Sequence, residues 1–271
     1  MHFSLNQMTV PDMGFASFLD LAVQLGCSGV EVRNDLGRPL FDGIGASEAG
    51  ASIRRKGLIL FGVSQVYPFN DWNDEREVAV RRLTEAAVEA GSKSISLIPR
   101  NDGTGLGNGE RQAKLRLALR SILPILREFG MIGLVEPLGF GRSSLRSKEE
   151  LAQMISSLDA EAEIKIVHDT FHHTLAGGGA LFPEGTGIVH ISGVVDPLLS
   201  IGEMEDEHRV LVDHRDRIGN IDQIAALLSA GYRGPLSFEC FSPEIHRLED
   251  AFSAIKGSMD FISSQIAATA A

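Results

Sequence analysis

Cysteine is scarce in this sequence. Cys27 and Cys240 are its two thiols among 271 residues, and they lie far apart with no CxxC pair. A disulfide-stapled scaffold needs several paired cysteines, so that class is excluded and a reducing compartment is favoured. We therefore interpret Cys240 as a packed thiol rather than a nucleophile.

Long hydrophobic runs are also missing. No stretch approaches the roughly 20 consecutive apolar residues that a membrane span requires. Met1 is followed almost at once by strand-like residues, without the basic and apolar regions of a secretory signal. The hydrophobic fraction of 44% with 23% charged residues is typical of a globular enzyme. We expect a cytoplasmic protein with no membrane partner.

Positive charge is in deficit. The chain has 25 Lys and Arg against 36 Asp and Glu, which gives a formal net charge of −11 at pH 7. Binding to a polyanion needs a basic surface that releases counterions. A nucleic-acid partner is therefore not expected.

Several catalytic signatures are absent. The sequence contains no G-x-S-x-G nucleophile elbow and no GxxxxGK[ST] phosphate loop. Residues 103–109 are rich in glycine, but a dinucleotide-binding fingerprint has a different spacing and follows the first strand of its unit. We interpret this stretch as a flexible loop over the mouth of a barrel.

The sequence does contain a strict alternation of strand-like and helix-like segments. Eight strand-helix units of about 34 residues each would account for its length, and no linker interrupts them. The expected fold is α/β, a single (β/α)8 TIM barrel over residues 1–271, with a doubly wound open sheet as the rival. The predicted strands cover residues 3–7, 29–33, 58–63, 94–98, 131–136, 164–169, 187–190 and 236–239.

Helix boundaries are predicted from capping residues. Asp71 or Asn73 can cap the third helix, and Asn220 is predicted to cap the seventh. The closing helix is expected to run from about residue 243 to 267, with residues 268–271 frayed. Before the seventh helix, an acidic connection over residues 192–219 is long enough to cover an active site.

Four predicted strands end in a side chain of a metal-ligand type: Glu136, Asp169, His190 and Glu239. In a parallel barrel the carboxyl ends of all strands meet at one face, where such barrels place their chemistry. Four such placements by chance are improbable, so the pattern predicts a metal site. Its oxygen-rich ligands suit Mn²⁺, Mg²⁺ or Co²⁺ better than structural zinc, although zinc stays an option.

Other polar residues are candidates for substrate contact. His172, three residues beyond Asp169, can hydrogen-bond to a substrate oxygen, or can be a supporting or surface histidine. Arg209 and Arg100 are candidate substrate-binding residues, and Arg142 is a third arginine of this kind. For each arginine taken alone, simple exposure is the competing interpretation.

The segments around the four strand ends resemble the motifs of the xylose isomerase-like TIM-barrel superfamily of sugar isomerases and epimerases. Within that superfamily they are most similar to inosose isomerase-type proteins of inositol catabolism. The resemblance covers nearly the whole chain. The segments are Val135-Glu136-Pro137-Leu138, His168-Asp169-Thr170-Phe171-His172, Val189-His190-Ile191-Ser192 and Ser237-Phe238-Glu239.

This resemblance implies one divalent metal ion, Mn, Mg, Co or Zn, held by Glu136, Asp169, His190 and Glu239. It also implies proton transfer next to a ketone through an enediolate. Glu136 and Glu239 would remove and return the proton, while His172 would orient a hydroxyl. The implied partner is a small keto-sugar or keto-inositol, and homo-oligomerisation is left open.

Alternatives remain open from the same residues. A dehydratase of inosose or another keto-polyol would share the enediolate, a non-catalytic sugar-binding protein would keep the pocket, and an endonuclease IV-like nuclease would need more histidine ligands. Ketose 3-epimerases carry an Asn-Arg-Phe-Glu run after the first ligand, where this chain has Gly139-Phe140-Gly141-Arg142. That departure disfavours a ketohexose substrate.

Overall fold

The protein folds around a closed barrel of eight parallel strands. The computed structural model describes residues 1–269. Each strand pairs with the next in chain order, and the last pairs with the first through His2 opposite Pro235. The predicted (β/α)8 TIM barrel is confirmed. The strands are β1 (His2–Asn6), β2 (Gly29–Arg33), β3 (Ile59–Val66), β4 (Ser94–Leu97), β5 (Ile132–Val135), β6 (Ile164–Asp169), β7 (Thr186–Ile191) and β8 (Pro235–Phe238).

Helices return the chain outside the barrel, because a parallel connection needs a crossover to the start of the next strand. Their buried faces pack on the outer side of the strands, and the strands are buried on both faces as expected for a parallel sheet. The helices are α1 (Phe15–Gln24), α2 (Ala46–Arg55), α3 (Asp74–Ala90), α4 (Asn108–Phe129), α5 (Lys148–Ser156), α6 (Thr170–Leu175), α7 (Asn220–Ser229), α8 (Pro243–His246) and α9 (Ala251–Thr269).

One of the two capping predictions is confirmed and one is wrong. Asn73 caps α3, because its side-chain oxygen accepts a hydrogen bond from the Arg76 N–H at 3.0 Å. Asn220 does not cap α7, since Gly219 holds the N-cap position with φ 73°. The buried amide of Asn220 donates instead to the Ser192 carbonyl at 2.8 Å, which ties the helix to the end of β7.

The prediction of one closing helix over 243–267 is also wrong. The segment forms a short α8 and a long α9, separated where Arg247 leaves helical geometry at φ −103° and ψ 12°. His246 Nε2 lies 3.0 Å from the Cys240 carbonyl, which draws the end of α8 back to the barrel. Asp250 then accepts the Ser253 N–H at 2.9 Å and begins α9. The helix continues to Thr269, so fraying is not seen at 268 and 269, and 270–271 lie outside the described residues.

The connection between β7 and α7 folds over the carboxyl-terminal end of the barrel. It contains two 3-10 turns, Ile201–Glu203 and Asp206–His208, and Gly193 forms an antiparallel bridge with Val210. A separate buried apolar cluster holds it in place, formed by Leu138, Phe140, Phe171, Val194, Met204 and Ile218. Within residues 1–269, no helix is long and apolar enough to cross a membrane.

Candidate metal centre

Four polar side chains converge inside the carboxyl-terminal end of the barrel. They belong to the four residues that the sequence places at strand ends, from β5, β6, β7 and β8 in order. One ligand atom from each lies within 4.8 Å of the others, and all four residues are buried. The predicted convergence is present, and their role as ligands stays a prediction. The residues are Glu136, Asp169, His190 and Glu239.

The donor atoms of this cluster fit a divalent cation. His190 Nδ1 lies 3.1 Å from Glu239 Oε2 and 3.6 Å from Glu136 Oε1. Both Glu136 Oε1 and His190 Nδ1 are buried, and among the described residues neither makes a hydrogen bond of acceptable geometry despite these short distances. An unsatisfied buried polar atom costs about 1–3 kcal/mol. A divalent cation would satisfy both atoms at once, and three carboxylates with one imidazole are a suitable ligand set.

The proximity of these groups shifts their pKa values. Burial and the negative charge of Glu239 raise the pKa of Glu136. Burial by itself would lower the pKa of His190, but the charges of Glu239 and Glu31 raise it well above its usual value. Burial opposes ionisation of Glu239 too, yet His190 and then Arg209 hold its pKa well below the usual range. Positive charge on His190 and on the buried guanidinium of Arg209 therefore offsets the clustered carboxylates.

Asp169 divides its two oxygens between two predicted site residues. Its Oδ1 accepts the backbone N–H of His172 at 2.8 Å and caps α6, which begins where β6 ends. Its Oδ2 accepts from Arg209 Nη2 at 2.5 Å, and the same Nη2 lies 3.1 Å from Glu239 Oε2. Arg209 is 1% exposed. Both His172 and Arg209 therefore adjoin the cluster, and their predicted contacts with substrate stay predictions.

A cavity of about 230 Å³ opens beside the cluster. It is lined mainly by polar side chains with a few apolar ones, a mixture suited to a small hydroxylated molecule. Its walls are formed by Arg33, Asp35, Gln65, Tyr67, Ile98, Asn101, Glu136, Leu138, Phe140, His172, Asp206, Arg209, Glu239 and Phe241.

The two remaining arginines do not line this cavity in the described part of the chain. Arg100 forms an ion pair with Asp71 and donates to Thr104 Oγ1 at 3.0 Å. Arg142 is half-exposed and forms a bidentate ion pair with Glu205, with Nη1–Oε1 and Nη2–Oε2 distances of 2.7 and 2.6 Å. The prediction that Arg100 contacts substrate gains no support from this geometry.

A protein-family model described as xylose isomerase-like TIM barrel matches residues 19–265. The chain belongs to the xylose isomerase-like TIM-barrel family. This match agrees with the closed barrel and with the site at its carboxyl-terminal end, and it confirms the superfamily resemblance of the four motifs.

Solved structures share the fold of this family member over almost its full length. A xylose isomerase domain-containing protein from Salmonella typhimurium LT2 has a TM-score of 0.88 at 28% identity, covering 98% of this chain and 97% of that one. The IolI protein, crystallised with a zinc atom, has a TM-score of 0.86 at 18% identity, covering 98% and 99%.

D-psicose 3-epimerase from Clostridium cellulolyticum H10, crystallised with D-tagatose, has a TM-score of 0.76 at 14% identity, covering 98% of this chain and 99% of that one. A comparison with curated proteins finds no significant match. The two structures below 25% identity, IolI and the epimerase, show the shared fold alone.

Three residues of this xylose isomerase-like barrel adjoin the cluster and were missed from the sequence. Arg33 Nη1 donates to Glu239 Oε1 at 2.7 Å, and Asn6 Nδ2 lies 3.2 Å from the same oxygen. Glu31 lies behind His190, 3.1 Å from its Nε2. One signal was available, because Glu31 and Arg33 are charged residues two apart on a strand predicted to be buried, and so share one face of it.

Proposed function

We propose that this protein is a divalent-metal-dependent isomerase or epimerase that moves a proton next to the ketone of an uncharged keto-polyol. Keto-inositol, the substrate of an inosose isomerase, is the specific candidate. The observation that carries the proposal is the buried convergence of three carboxylates and one imidazole beside a small polar cavity. Family membership supports an isomerase or epimerase, since neighbours of the fold include IolI and a ketose epimerase.

The residues that would hold the ion are Glu136, Asp169, His190 and Glu239. A bound divalent ion would supply Lewis acidity toward the ketone oxygen and so acidify the neighbouring C–H. Manganese, magnesium, cobalt and zinc all accept this combination of oxygen and nitrogen donors. The buried, partnerless Glu136 Oε1 and His190 Nδ1 support a cation at this position.

Proton transfer would fall to the two glutamates. Both side chains line the cavity in which a substrate would bind, so each could exchange a proton with it. One of them would remove the proton, and the other would return one to the adjacent carbon. Positioned acid-base catalysis contributes about 10²- to 10⁴-fold, so positioning and electrostatics would supply the rest.

His172 is the best-placed side chain to orient a substrate hydroxyl. It is 3% exposed, it lines the cavity, and its Nδ1 has no hydrogen-bond partner among the described residues. Its ring is fixed edge-on against Phe140 and Phe171, with centroid distances of 5.1 and 5.2 Å. A fixed ring whose Nδ1 is unpartnered is suited to recognise a hydroxyl group.

The charges around the cavity favour an uncharged substrate. Its two arginines are already paired with carboxylates, Arg33 with Asp35 and Glu239, and Arg209 with Asp206 among others. Both guanidinium groups already have counter-ions, so neither is free to bind a phosphate or a substrate carboxylate. Asp35 and Asp206 add further negative charge to the wall, so a neutral polyol fits this lining better than its phosphate ester.

The decisive experiment is proton NMR of the Mg²⁺-loaded protein with 2-keto-myo-inositol in D₂O. Deuterium entering next to the carbonyl, with formation of an isomeric keto-inositol, would support the proposal. An unsaturated product would assign the protein to the dehydratases. Absence of exchange with this ketone and with a panel of free keto-sugars, under every metal tested, would refute the proposed function.

Glu239→Gln is the matching variant, since the amide keeps the shape but cannot accept the proton. We expect exchange to fall to background while the fold is retained. Glu205→Gln alters a carboxylate whose partner is the half-exposed Arg142, so it serves as the control and should keep wild-type exchange. Full exchange by Glu239→Gln would remove Glu239 from the mechanism.

A further inference from the structure

Glu31 is a fully buried carboxylate that the proposed reaction does not use. It lies on β2 with 0% exposure and faces the interior of the barrel, behind the ligand cluster. A buried charge is costly unless it is paired and hydrogen-bonded. Its presence inside the barrel therefore has to be explained by the groups that it contacts.

Both oxygens of Glu31 have defined partners. Oε1 accepts from Ser237 Oγ at 2.5 Å and faces Asn6 Nδ2 at 3.4 Å. Oε2 lies 3.1 Å from His190 Nε2. Because Ser237 on β8 and Asn6 on β1 contact Oε1, the plane of the carboxylate is fixed and Oε2 is directed at the imidazole.

The two nitrogens of His190 thus have different environments. Nε2 faces Glu31, whereas Nδ1 faces Glu239 Oε2 at 3.1 Å and Glu136 Oε1 at 3.6 Å. The four converging ligand atoms do not include one from Glu31, because the imidazole ring lies between that carboxylate and the cluster. Glu31 can accept one N–H from this ring, and it can do so only at Nε2.

We propose that Glu31 is a positioning residue that accepts the Nε2–H of His190 and thereby presents Nδ1 to the divalent ion. This proposal rests on the metal site of the proposed function. A carboxylate behind a ligating histidine fixes the tautomer and the orientation of the ring, and it increases the basicity of the ligating nitrogen.

Asn6 extends this arrangement to a second ligand. Its Nδ2 lies 3.4 Å from Glu31 Oε1 and 3.2 Å from Glu239 Oε1. One amide at the end of β1 therefore contacts both the carboxylate that orients His190 and the ligand next to it. The first two strands, which supply no ligand, would hold two ligands in place.

The test begins with the metal affinity of the metal-free protein, measured by competition with a chromophoric Zn²⁺ chelator. Glu31→Gln keeps the shape but removes the charge, and we expect Zn²⁺ binding to weaken by about 10- to 100-fold. Glu163→Gln removes a carboxylate paired with Arg127 before β6, at the opposite end of the barrel, and should leave affinity unchanged. Equal affinity of Glu31→Gln and wild type would overturn the proposal.

A second measurement separates positioning from a general loss of structure. In the Zn²⁺-loaded wild type with ¹⁵N-labelled histidine, His190 should show a protonated Nε2 and a metal-bound Nδ1. Ser237→Ala removes one donor to Glu31 and should weaken Zn²⁺ binding in the same direction but less than Glu31→Gln. Metal bound at Nε2 would refute the proposal even if both variants folded poorly.

The two proposals fail in different ways. Zinc affinity and the histidine tautomer are measured without substrate, so lack of ketone exchange by a zinc-binding protein would refute the function and leave the role of Glu31 intact. Failure of the wild-type protein to bind any divalent ion would refute both.

Discussion

Arg209 is expected to oppose metal binding as well as to stabilise the metal-free protein. Its guanidinium is 1% exposed and reaches Asp169 Oδ2 at 2.5 Å and Glu239 Oε2 at 3.1 Å. A cation bound by the cluster would need the same two carboxylates. Replacing Arg209 by methionine removes the charge but keeps an unbranched side chain against the rings of Phe171 and Phe241, which lie 5.1 and 4.6 Å from the guanidinium carbon.

The magnitude follows from the burial of the pair. Removing one partner of a buried ion pair costs about 3–5 kcal/mol, because the remaining charge is left uncompensated. With an unfolding entropy of about 2.1 cal/mol/K per residue, 271 residues lose about 5–9 °C in Tm from that change. With saturating Mn²⁺ the two carboxylates regain a positive neighbour, so the stability difference between wild type and Arg209→Met should become smaller. A narrowing of about 1.4 kcal/mol corresponds to tenfold tighter metal binding by the variant.

Differential scanning calorimetry of wild type and Arg209→Met, each with and without Mn²⁺, measures all four states. Arg142→Met is the control, since Arg142 and Glu205 form a half-exposed pair worth about 0–1 kcal/mol. Arg142→Met should lower the Tm only slightly, and by the same amount with and without Mn²⁺. If Arg209→Met bound Mn²⁺ more weakly than wild type, the competition between guanidinium and metal would be refuted.

Two further predictions concern packing and the thiols. A Cβ added at Gly139 would lie 2.4 Å from the backbone oxygen of His172, so Gly139→Ala should lower the free energy of unfolding in urea by about 1–3 kcal/mol. A Cβ added at Gly141 would have no atom within 4 Å, so Gly141→Ala should leave that free energy unchanged. Equal losses in the two variants would contradict the contact at Gly139. Burial raises the pKa of Cys27 and Cys240 to about 12. Both thiols should therefore react with Ellman's reagent at pH 8 at least ~100-fold more slowly in the native protein than in urea. Similar rates in the two conditions would contradict their burial.

The barrel and the convergence of the ligand cluster were predictable because both depend on local patterns. A buried parallel strand is a short apolar run, and a ligand-type residue at its carboxyl end must reach the common face of the barrel. The errors lie where contacts outside the repeating local pattern decide. The closing helix breaks where His246 turns back to the Cys240 carbonyl, and Asn220 leaves its expected cap position to bond Ser192. Glu31 was missed because its partner His190 is 159 residues away.

The hydrogen bonds around the cluster fix the orientation of its carboxylates. Glu239 Oε1 is held by Arg33 and Asn6, which leaves Oε2 toward the cluster. Asp169 Oδ1 is held as the cap of α6, which leaves Oδ2. Both remaining oxygens contact the same nitrogen of Arg209. Withdrawal of a single guanidinium would therefore free two ligand oxygens together, on carboxylates whose orientation the rest of the barrel already fixes.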